Sequence, residues 1–253
     1  MLPLVWINGR RYACFAGLGQ LAGLRHAFST RPLNVAPRDG VDVQQRAANR
    51  AAMTHDLGFD PERLCFCQQV HQTNLAVVDG TPCGGPLGEV DGVLTATPGT
   101  ALMTFSADCP LVLLYDPLRR VIGLAHASWR CTVGEISRRL VELAAARFGC
   151  RPADLRAGIG PGAGPCCYEV RDDVYEAAAG LTQRERLFLR RDGRLFFDLW
   201  TANKLQLLAA GLDPNHIESA DVCTLCRNDL FYSYRRDGAG CGHFGLLAGL
   251  TDT

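Results

Sequence analysis

The stretch ALMTFSADCPLVLLYDPLRRVIGLAH, residues 101–126, decides the fold of this chain. It contains three short apolar runs, at 101–105, 111–115 and 121–125, and its turns carry Pro and Asp. Apolar runs of this length between turn residues predict strands, and their connections are too short for crossover helices. The stretch therefore predicts neighbouring strands of a mostly antiparallel or mixed sheet.

Strands and helices are predicted on both sides of this stretch. Asn8-Gly9 separates two apolar runs, 4–7 and 12–15, and favours a hairpin turn because both residues tolerate positive φ. The clearest helix is predicted over 132–148, where apolar residues recur at helical spacing. Further strands are predicted at 64–70, 75–78, 92–95, 155–159, 195–199, 217–223 and 244–250, and further helices at 43–57, 170–179 and 201–210.

The order of these elements predicts an α/β (α+β) fold in which helices cover packed sheets. Hydrophobic residues make up 47% of the chain, which is enough for a substantial core. Because no linker or low-complexity segment interrupts the sequence, we predict a single domain over residues 1–253.

The charge balance bears on the kind of partner. Lys plus Arg and Asp plus Glu both number 26, so no net field attracts the chain to nucleic acid or to an anionic membrane. The start of the chain lacks the pattern of a secretory signal, and no run approaches the ~18 apolar residues that span a bilayer. We expect a cytoplasmic protein that acts on a small molecule.

Three residues that could bind a metal each follow an apolar strand: His71, Cys109 and His126. Two imidazoles and one thiolate suit Zn²⁺ and leave the fourth tetrahedral position open for catalysis. Cys109 and His126 are one hairpin apart, so they return to the same end of a sheet. Spacing alone leaves open that the histidines are packed in the core and that Cys109 is a buried thiol.

Other polar residues are weaker candidates. Arg31 and Arg130 could hold a phosphate or ribose, because a guanidinium binds oxyanions in a forked geometry; the alternative is a surface ion pair. Asp108 could orient a histidine or act as a base, or could cap a turn. These readings stay open at the level of the sequence.

The remaining cysteines give no clear site from their spacing. Cys223-x-x-Cys226 is half of a structural zinc motif, and a pair of unlinked thiols is the simpler interpretation. Cys166 and Cys167 would face opposite ways on a strand, which argues against a joint metal site.

Several segments together resemble one known family. These are QVHQTN (69–74), SADCP (106–110), AHASWR (125–130), IGP (159–161), CCYEV (166–170) and FYSYRRDG (231–238). They resemble the family variously called multicopper polyphenol oxidase (laccase-like), peptidoglycan editing factor and purine nucleoside phosphorylase. The resemblance runs from about His26 to near the C-terminus.

The resemblance implies an α-β-β-α layered sandwich with a zinc site at His71, Cys109 and His126. It also implies zinc-dependent phosphorolysis of purine nucleosides, with adenosine deamination as a companion activity. We expect His71, Cys109, His126 and Arg130 to be catalytic, and Arg31, Arg130 and Tyr168 to bind substrate. The expected partners are a nucleoside and phosphate, and the expected state is a monomer or homodimer.

The sequence departs from the family pattern near the expected ligands. The family's His-Ala-Gly-Trp-Arg-Gly motif corresponds to residues 126–131 here, with Ser128 and Cys131 in place of the two glycines. Its C-terminal Thr-Gly-Arg corresponds to residues 241–243, with His243 in place of the arginine. The added Cβ atoms predict a narrower pocket, and a histidine holds an anion less firmly than arginine does. The loop after Arg31 is also shorter than is usual in the family.

Three alternative functions remain. Cys109 and His126 could form a cysteine-type hydrolase that cleaves an amide in peptidoglycan precursors. The departures could instead leave a non-catalytic binding homologue that keeps the fold. A copper polyphenol oxidase is the least favoured, because multicopper electron transfer needs clustered histidines and the chain has six, with no His-x-His pair.

Overall fold

Two large β-sheets form the centre of the protein in the computed structural model, which describes residues 2–37, 42–80 and 84–251. The strands are β1 (Leu4–Ile7), β2 (Arg10–Ala13), β3 (Leu24–Ser29), β4 (Leu64–Phe66), β5 (Leu75–Val78), β6 (Gly85–Pro86), β7 (Gly92–Thr95), β8 (Ala101–Ser106), β9 (Leu111–Asp116), β10 (Val121–His126), β11 (Arg156–Ile159), β12 (Glu169–Val170), β13 (Phe188–Arg191), β14 (Arg194–Phe197), β15 (Ile217–Ser219) and β16 (Phe244–Leu250). The helices are α1 (Val43–Asp56), α2 (Trp129–Val133), α3 (Ile136–Phe148), α4 (Asp172–Ala177), α5 (Arg184–Leu187), α6 (Leu199–Ala209) and α7 (Tyr234–Asp237). Within the described ranges, none of the helices has the length and apolar character needed to cross a membrane.

The sheets are mixed and largely antiparallel, as the sequence predicts. The first sheet has the order β1-β2-β3-β16-β8-β4-β6, and the second has β15-β11-β9-β10-β7-β5. Strand β4 is parallel to β6 and β8, β5 is parallel to β7, and β11 is parallel to β15. The other pairings of these two sheets are antiparallel. A small third sheet has the order β12-β14-β13.

Alternate side chains of the central strands pack in opposite directions. Leu113 of β9 belongs to the core between the two sheets, with Leu246 of the first sheet. Val112, the preceding residue, belongs to a second core with Leu140 of α3 and Leu207 of α6. Both faces of β9 are therefore buried, which explains why its sequence is continuously apolar rather than alternating.

Helix α1 covers the outer face of the first sheet. Its Met53 shares a buried cluster with Met103 of β8 and Leu247 of β16. The layers are thus α1, the first sheet, the second sheet, and then α3 with α6. This is the α-β-β-α layering that the family resemblance implies.

The hairpin prediction is confirmed and the long-helix prediction is wrong at one end. Asn8 and Gly9 have φ of 49° and 76°, as a tight hairpin turn between β1 and β2 requires.

The helix predicted over 132–148 is instead two helices, α2 and α3, which meet at Gly134. A Cβ on Gly134 would lie 2.5 Å from Cγ2 of Thr73, so the break admits the loop that carries His71.

The sequence does not predict strand β3, because LRHAFS mixes polar and apolar residues without alternation. His26 of β3 is buried, and its Nε2 accepts a hydrogen bond from the backbone N–H of Phe15 at 3.0 Å. Burial lowers the pKa of His26 from 6.5 to about 4. The imidazole is therefore a neutral acceptor in the fold at neutral pH.

This burial predicts an acid-sensitive contribution to stability. As pH falls below the unfolded pKa, the unfolded state binds a proton that the folded imidazole does not, so the free energy of unfolding decreases until pH reaches the folded pKa. From about pH 7 to about pH 5 the loss from His26 should be about 2 kcal/mol. Urea unfolding at both pH values should show this loss in the wild type and a smaller loss in His26→Gln, which keeps an acceptor but does not titrate. Equal losses in both proteins would contradict the assignment.

Candidate metal centre and active-site cavity

A buried carboxylate, Asp91, orients the candidate ligand His126. Nδ1 of His126, at the end of β10, lies 2.8 Å from Oδ1 of Asp91, just before β7, and both side chains are buried. Because an ionised carboxylate only accepts hydrogen bonds, it places the imidazole proton on Nδ1. Nε2 is then the lone-pair atom, the arrangement in which a histidine ligand is held by a carboxylate partner.

The same carboxylate shapes the loop that carries His71. It accepts hydrogen bonds from the backbone N–H groups of Val70, His71 and Gln72 at 3.2, 3.1 and 2.8 Å. Burial opposes the charge, but the hydrogen bonds from His126 and from this loop hold the pKa of Asp91 below its ordinary value. His71 itself has φ of 60°, so the loop holds a non-glycine residue in the left-handed region.

Gln69 fixes the same loop to the first sheet. Its side-chain amide donates to the carbonyl oxygen of Phe105 and accepts from the N–H of Phe105, both at 2.8 Å. The Gln69 side chain thus makes with β8 the same pair of hydrogen bonds that the backbone of a neighbouring strand would make. The connection from β4 of the first sheet to β5 of the second sheet is therefore anchored to both sheets, which brings His71 to the other ligands.

Cys109 lies in the tight connection between β8 and β9. Ser106 Oγ donates to the carbonyl oxygen of Cys109 at 2.6 Å. Asp108 has φ of 106°, a strained backbone angle for a residue with a side chain. Its carboxylate accepts from Thr224 Oγ1 and from the backbone N–H of Arg235, both at 2.7 Å. Asp108 thus ties two distant loops to the Cys109 turn instead of orienting a histidine.

The structure brings His71, Cys109 and His126 together. One donor atom from each lies within 4.8 Å of the others, and the two imidazole rings meet edge to face with centroids 4.9 Å apart. Tetrahedral zinc requires donor atoms about 3.5 Å apart, so a small closure around the ion is sufficient. Burial raises the pKa of the Cys109 thiol, so a bound cation would be needed to stabilise its thiolate. The donor set fits a zinc ion.

These three residues lie in the wall of a cavity of about 610 Å³. Its volume falls in the range of small-molecule sites, roughly 300–1,000 Å³. Phe105, Tyr168 and Tyr234 contribute aromatic surface to the wall, and Arg235 and His243 contribute polar groups. The cavity thus combines a candidate metal centre, aromatic faces and a cation.

The two arginines predicted from the sequence lie outside the cavity lining. Arg130 is exposed, with its guanidinium 4.3 Å from the centroid of the Trp129 ring. Arg31 forms an ion pair with Asp237 and stacks over Tyr232 at 4.4 Å. The structure does not bring either arginine to the three candidate ligands.

Arg235, unlike Arg31 and Arg130, lines the cavity together with the three candidate ligands. Its guanidinium lies 4.9 Å from the centroid of the Tyr168 ring, and its Nη1 donates to the carbonyl oxygen of Glu169 at 2.9 Å. The substrate-binding candidate Tyr168 does line the cavity. The only sequence signal for Arg235 was its place in the FYSYRRDG motif.

The departures from the family pattern are accommodated by local packing. Ser128 has φ of −60° and ψ of 167°, which any residue adopts, and its hydroxyl caps α2 by accepting from the N–H of Cys131 at 3.2 Å. Cys131 is fully buried beside the outer core, where its sulfur accepts a hydrogen bond from Ser128 Oγ at 2.9 Å and lies within 4.8 Å of donor atoms of Asp91 and His126. The predicted narrowing is not seen at these two residues, since the cavity lining includes neither. His243, in contrast, does line the cavity.

Comparison with known proteins gives consistent family relationships. A family model described as multi-copper polyphenol oxidoreductase laccase matches residues 23–251. Purine nucleoside phosphorylase YlmD of Geobacillus stearothermophilus is 35% identical over 240 residues, which cover 88% of this chain and 88% of that protein. Adenosine deaminase RL5, from an unknown prokaryotic organism, is 30% identical over 234 residues, with 88% of each chain covered.

The similarity extends to the fold. The crystal structure of YlmD from Geobacillus stearothermophilus has a TM-score of 0.90 to this chain at 30% identity, covering 98% of this chain and 99% of that one. The sequence match and the structural match therefore cover nearly the same residues of this chain. The chain belongs to the multi-copper polyphenol oxidoreductase laccase family, whose members similar to it include proteins named purine nucleoside phosphorylase and adenosine deaminase.

Proposed function

We propose that this protein is a zinc-dependent purine nucleoside phosphorylase with adenosine deamination as a companion activity. The observation that carries the proposal is the convergence of His71, Cys109 and His126 on one wall of a nucleoside-sized cavity. The names of the relatives supply the reaction class. The proposed substrates are a purine nucleoside and inorganic phosphate.

In this proposal His71, Cys109 and His126 would hold the ion, and Asp91 keeps the His126 proton on Nδ1 so that Nε2 would be available to bind it. Zinc, when bound, would supply a Lewis acid that polarises an oxygen atom. The remaining roles belong to the chain itself. Aromatic faces such as that of Tyr168 offer a stacking surface to a purine base.

Arg235 is the proposed phosphate anchor in place of Arg130. A guanidinium presents several N–H donors in a plane that matches the oxygens of a phosphate. Arg235 lines the cavity with His126 and Cys109, whereas Arg130 is exposed beside Trp129. This placement would compensate for the arginine that His243 replaces.

One alternative function also has support in the geometry. Cys109, His126 and Asp91 resemble the nucleophile, base and orienting acid of a cysteine hydrolase, which would suit an editing enzyme for peptidoglycan precursors. His71 distinguishes the two functions, because a hydrolase of this kind needs no third donor beside the cysteine. We favour the zinc enzyme because the Asp91 hydrogen bonds fix the backbone of His71 beside the other two residues.

The metal proposal predicts the loss of one zinc equivalent when any one ligand is removed. His71→Ala, Cys109→Ala and His126→Ala should each contain one zinc fewer per chain than the wild type, because a site that keeps only two of its three proposed ligands binds zinc much more weakly. Elemental analysis of protein purified without chelator measures this, with Arg130→Ala as a control that should keep the wild-type metal content. Full zinc in all three variants, or copper in place of zinc in the wild type, would contradict the proposal.

The reaction proposal predicts a strict phosphate requirement that depends on Arg235. Adenosine or inosine should yield free base and ribose-1-phosphate only when phosphate is present, as chromatography would show. Arg235→Gln should raise the KM for phosphate by about 10- to 100-fold, the equivalent of roughly 1.5–3 kcal/mol for a charge-assisted hydrogen bond. Arg130→Gln is the matched control, and we expect less than about a twofold change because that arginine is solvated.

Three results would refute parts of this reaction proposal. Equal base release with and without phosphate would indicate hydrolysis. A larger increase in the KM for phosphate in Arg130→Gln than in Arg235→Gln would identify Arg130, and not Arg235, as the phosphate anchor. The absence of turnover by fully metallated wild-type protein would support the non-catalytic binding homologue.

A further inference from the structure

Four cysteines that the proposed function does not use lie close together in space. They are Cys166, Cys167, Cys223 and Cys226, and all four are free thiols. Each of the four sulfur atoms lies within 4.8 Å of the others. Cys226 Sγ lies 3.8 Å from Cys166 Sγ and 3.5 Å from Cys167 Sγ.

The sequence argument against a joint site at Cys166 and Cys167 is wrong because these residues do not lie in a strand. Residues 165–167 form a turn, in which the N–H groups of Cys167 and Tyr168 both donate to the carbonyl oxygen of Gly164 at 2.9 and 2.8 Å. In a turn, adjacent side chains can point to the same side, whereas in a strand they alternate. The two cysteines can therefore contribute to one site.

A short parallel bridge positions the second pair, Cys223 and Cys226. Cys223 pairs with Gly162, and the N–H of Thr224 donates to the carbonyl oxygen of Gly162 at 3.0 Å. The turn that follows returns Cys226 toward the same point. The bridge thus supplies the second half of the arrangement that Cys223-x-x-Cys226 lacked in the sequence.

The sulfur spacing is that of ligands around one ion. Four thiolates at about 2.3 Å from a tetrahedral zinc are about 3.8 Å from one another. The two separations from Cys226 Sγ, 3.8 and 3.5 Å, are close to this value. They are much longer than a disulfide bond of about 2.05 Å.

The surroundings suit a cluster of thiolates. The backbone N–H of Gly164 donates to Cys223 Sγ at 3.4 Å, and such bonds stabilise negative charge on sulfur. Two arginines bind the carbonyl groups of the same two turns: Arg191 binds Pro165, and Arg236 binds Leu225. Their positive charges would partly offset the net negative charge of a zinc ion with four thiolates.

We propose that Cys166, Cys167, Cys223 and Cys226 form a second zinc site, of the structural tetrathiolate class. All four positions would be filled by protein ligands, which leaves none open for substrate and distinguishes this site from the His71 centre. The ion would fasten the turn before Tyr168 to the segment in which Thr224 holds the carboxylate of Asp108. Its role would be to brace the cavity wall.

Metal content of single variants tests this proposal separately from the proposed function. The wild type should contain two zinc ions per chain, and His71→Ala and Cys226→Ser should each contain one. The double variant should contain none. Cys14→Ser removes a free thiol that lies outside the cluster, so it should keep both ions and serves as the matched control.

Cobalt substitution identifies the ligands without relying on activity. Cobalt-loaded His71→Ala should retain strong thiolate-to-cobalt absorption from the four-sulfur site, whereas Cys226→Ser should lose most of it. Circular dichroism checks that Cys226→Ser, whose altered side chain is exposed, remains folded. If Cys226→Ser does not fold, the wild type is titrated with a mercurial reagent and zinc release is measured. Release of the ion from the cysteine site should then require modification of four thiols.

Three outcomes would overturn the second site. They are a single zinc in the wild type that is lost in His71→Ala, iron in place of zinc at the cysteines, and unchanged zinc content in folded Cys226→Ser. Loss of the His71 ion alone would leave this site intact, so the two proposals can fail independently.

Discussion

The architecture of the candidate site depends on the burial of one carboxylate. A charged group away from water is tolerated only when its acceptor sites are filled, and Asp91 fills them with His126 and three backbone N–H groups of the His71 loop. Satisfying this one charge therefore forces two of the three candidate ligands into contact. The need to satisfy Asp91 is thus also what assembles the candidate metal centre.

The layered fold supplies the rigid frame for this arrangement. Strands β9 and β10 are buried on both faces, so polar side chains are confined to their ends. The loops at one end carry the strain, with positive φ at His71 and at Asp108. Hydrogen bonds from Gln69 and to Asp108 hold these loops in place. The strain is supported by the surrounding structure, as is typical of functional sites.

The sequence predicts the parts of this protein that depend on local patterns. The hairpin at Asn8-Gly9 and strands such as β7 and β16 follow from turn chemistry and apolar runs. The parts that were missed depend on contacts between distant segments. The break at Gly134 exists because the His71 loop packs against it, and β3 is held by pairing with β2 and β16 rather than by its own composition.

The same distinction applies to the candidate site. Ligands His71, Cys109 and His126 could be proposed from residue types at strand ends, together with a family resemblance. Asp91, Arg235 and the cysteine cluster could not be proposed from the sequence, because their roles depend on contacts with residues that are distant in the sequence. The one available signal for Asp91 was an acidic residue directly before a buried strand.

Asp91 orients the candidate metal ligands His71 and His126. The contribution of Asp91 can be measured as the zinc affinity of the His71 site, by chelator competition in wild-type and Asp91→Asn backgrounds that both carry Cys226→Ser, so that only one site binds zinc. We expect Asp91→Asn to bind zinc about 10- to 100-fold more weakly, as is found for carboxylates that support histidine ligands. An unchanged zinc affinity in a folded Asp91→Asn variant would show that Asp91 does not orient the zinc ligands.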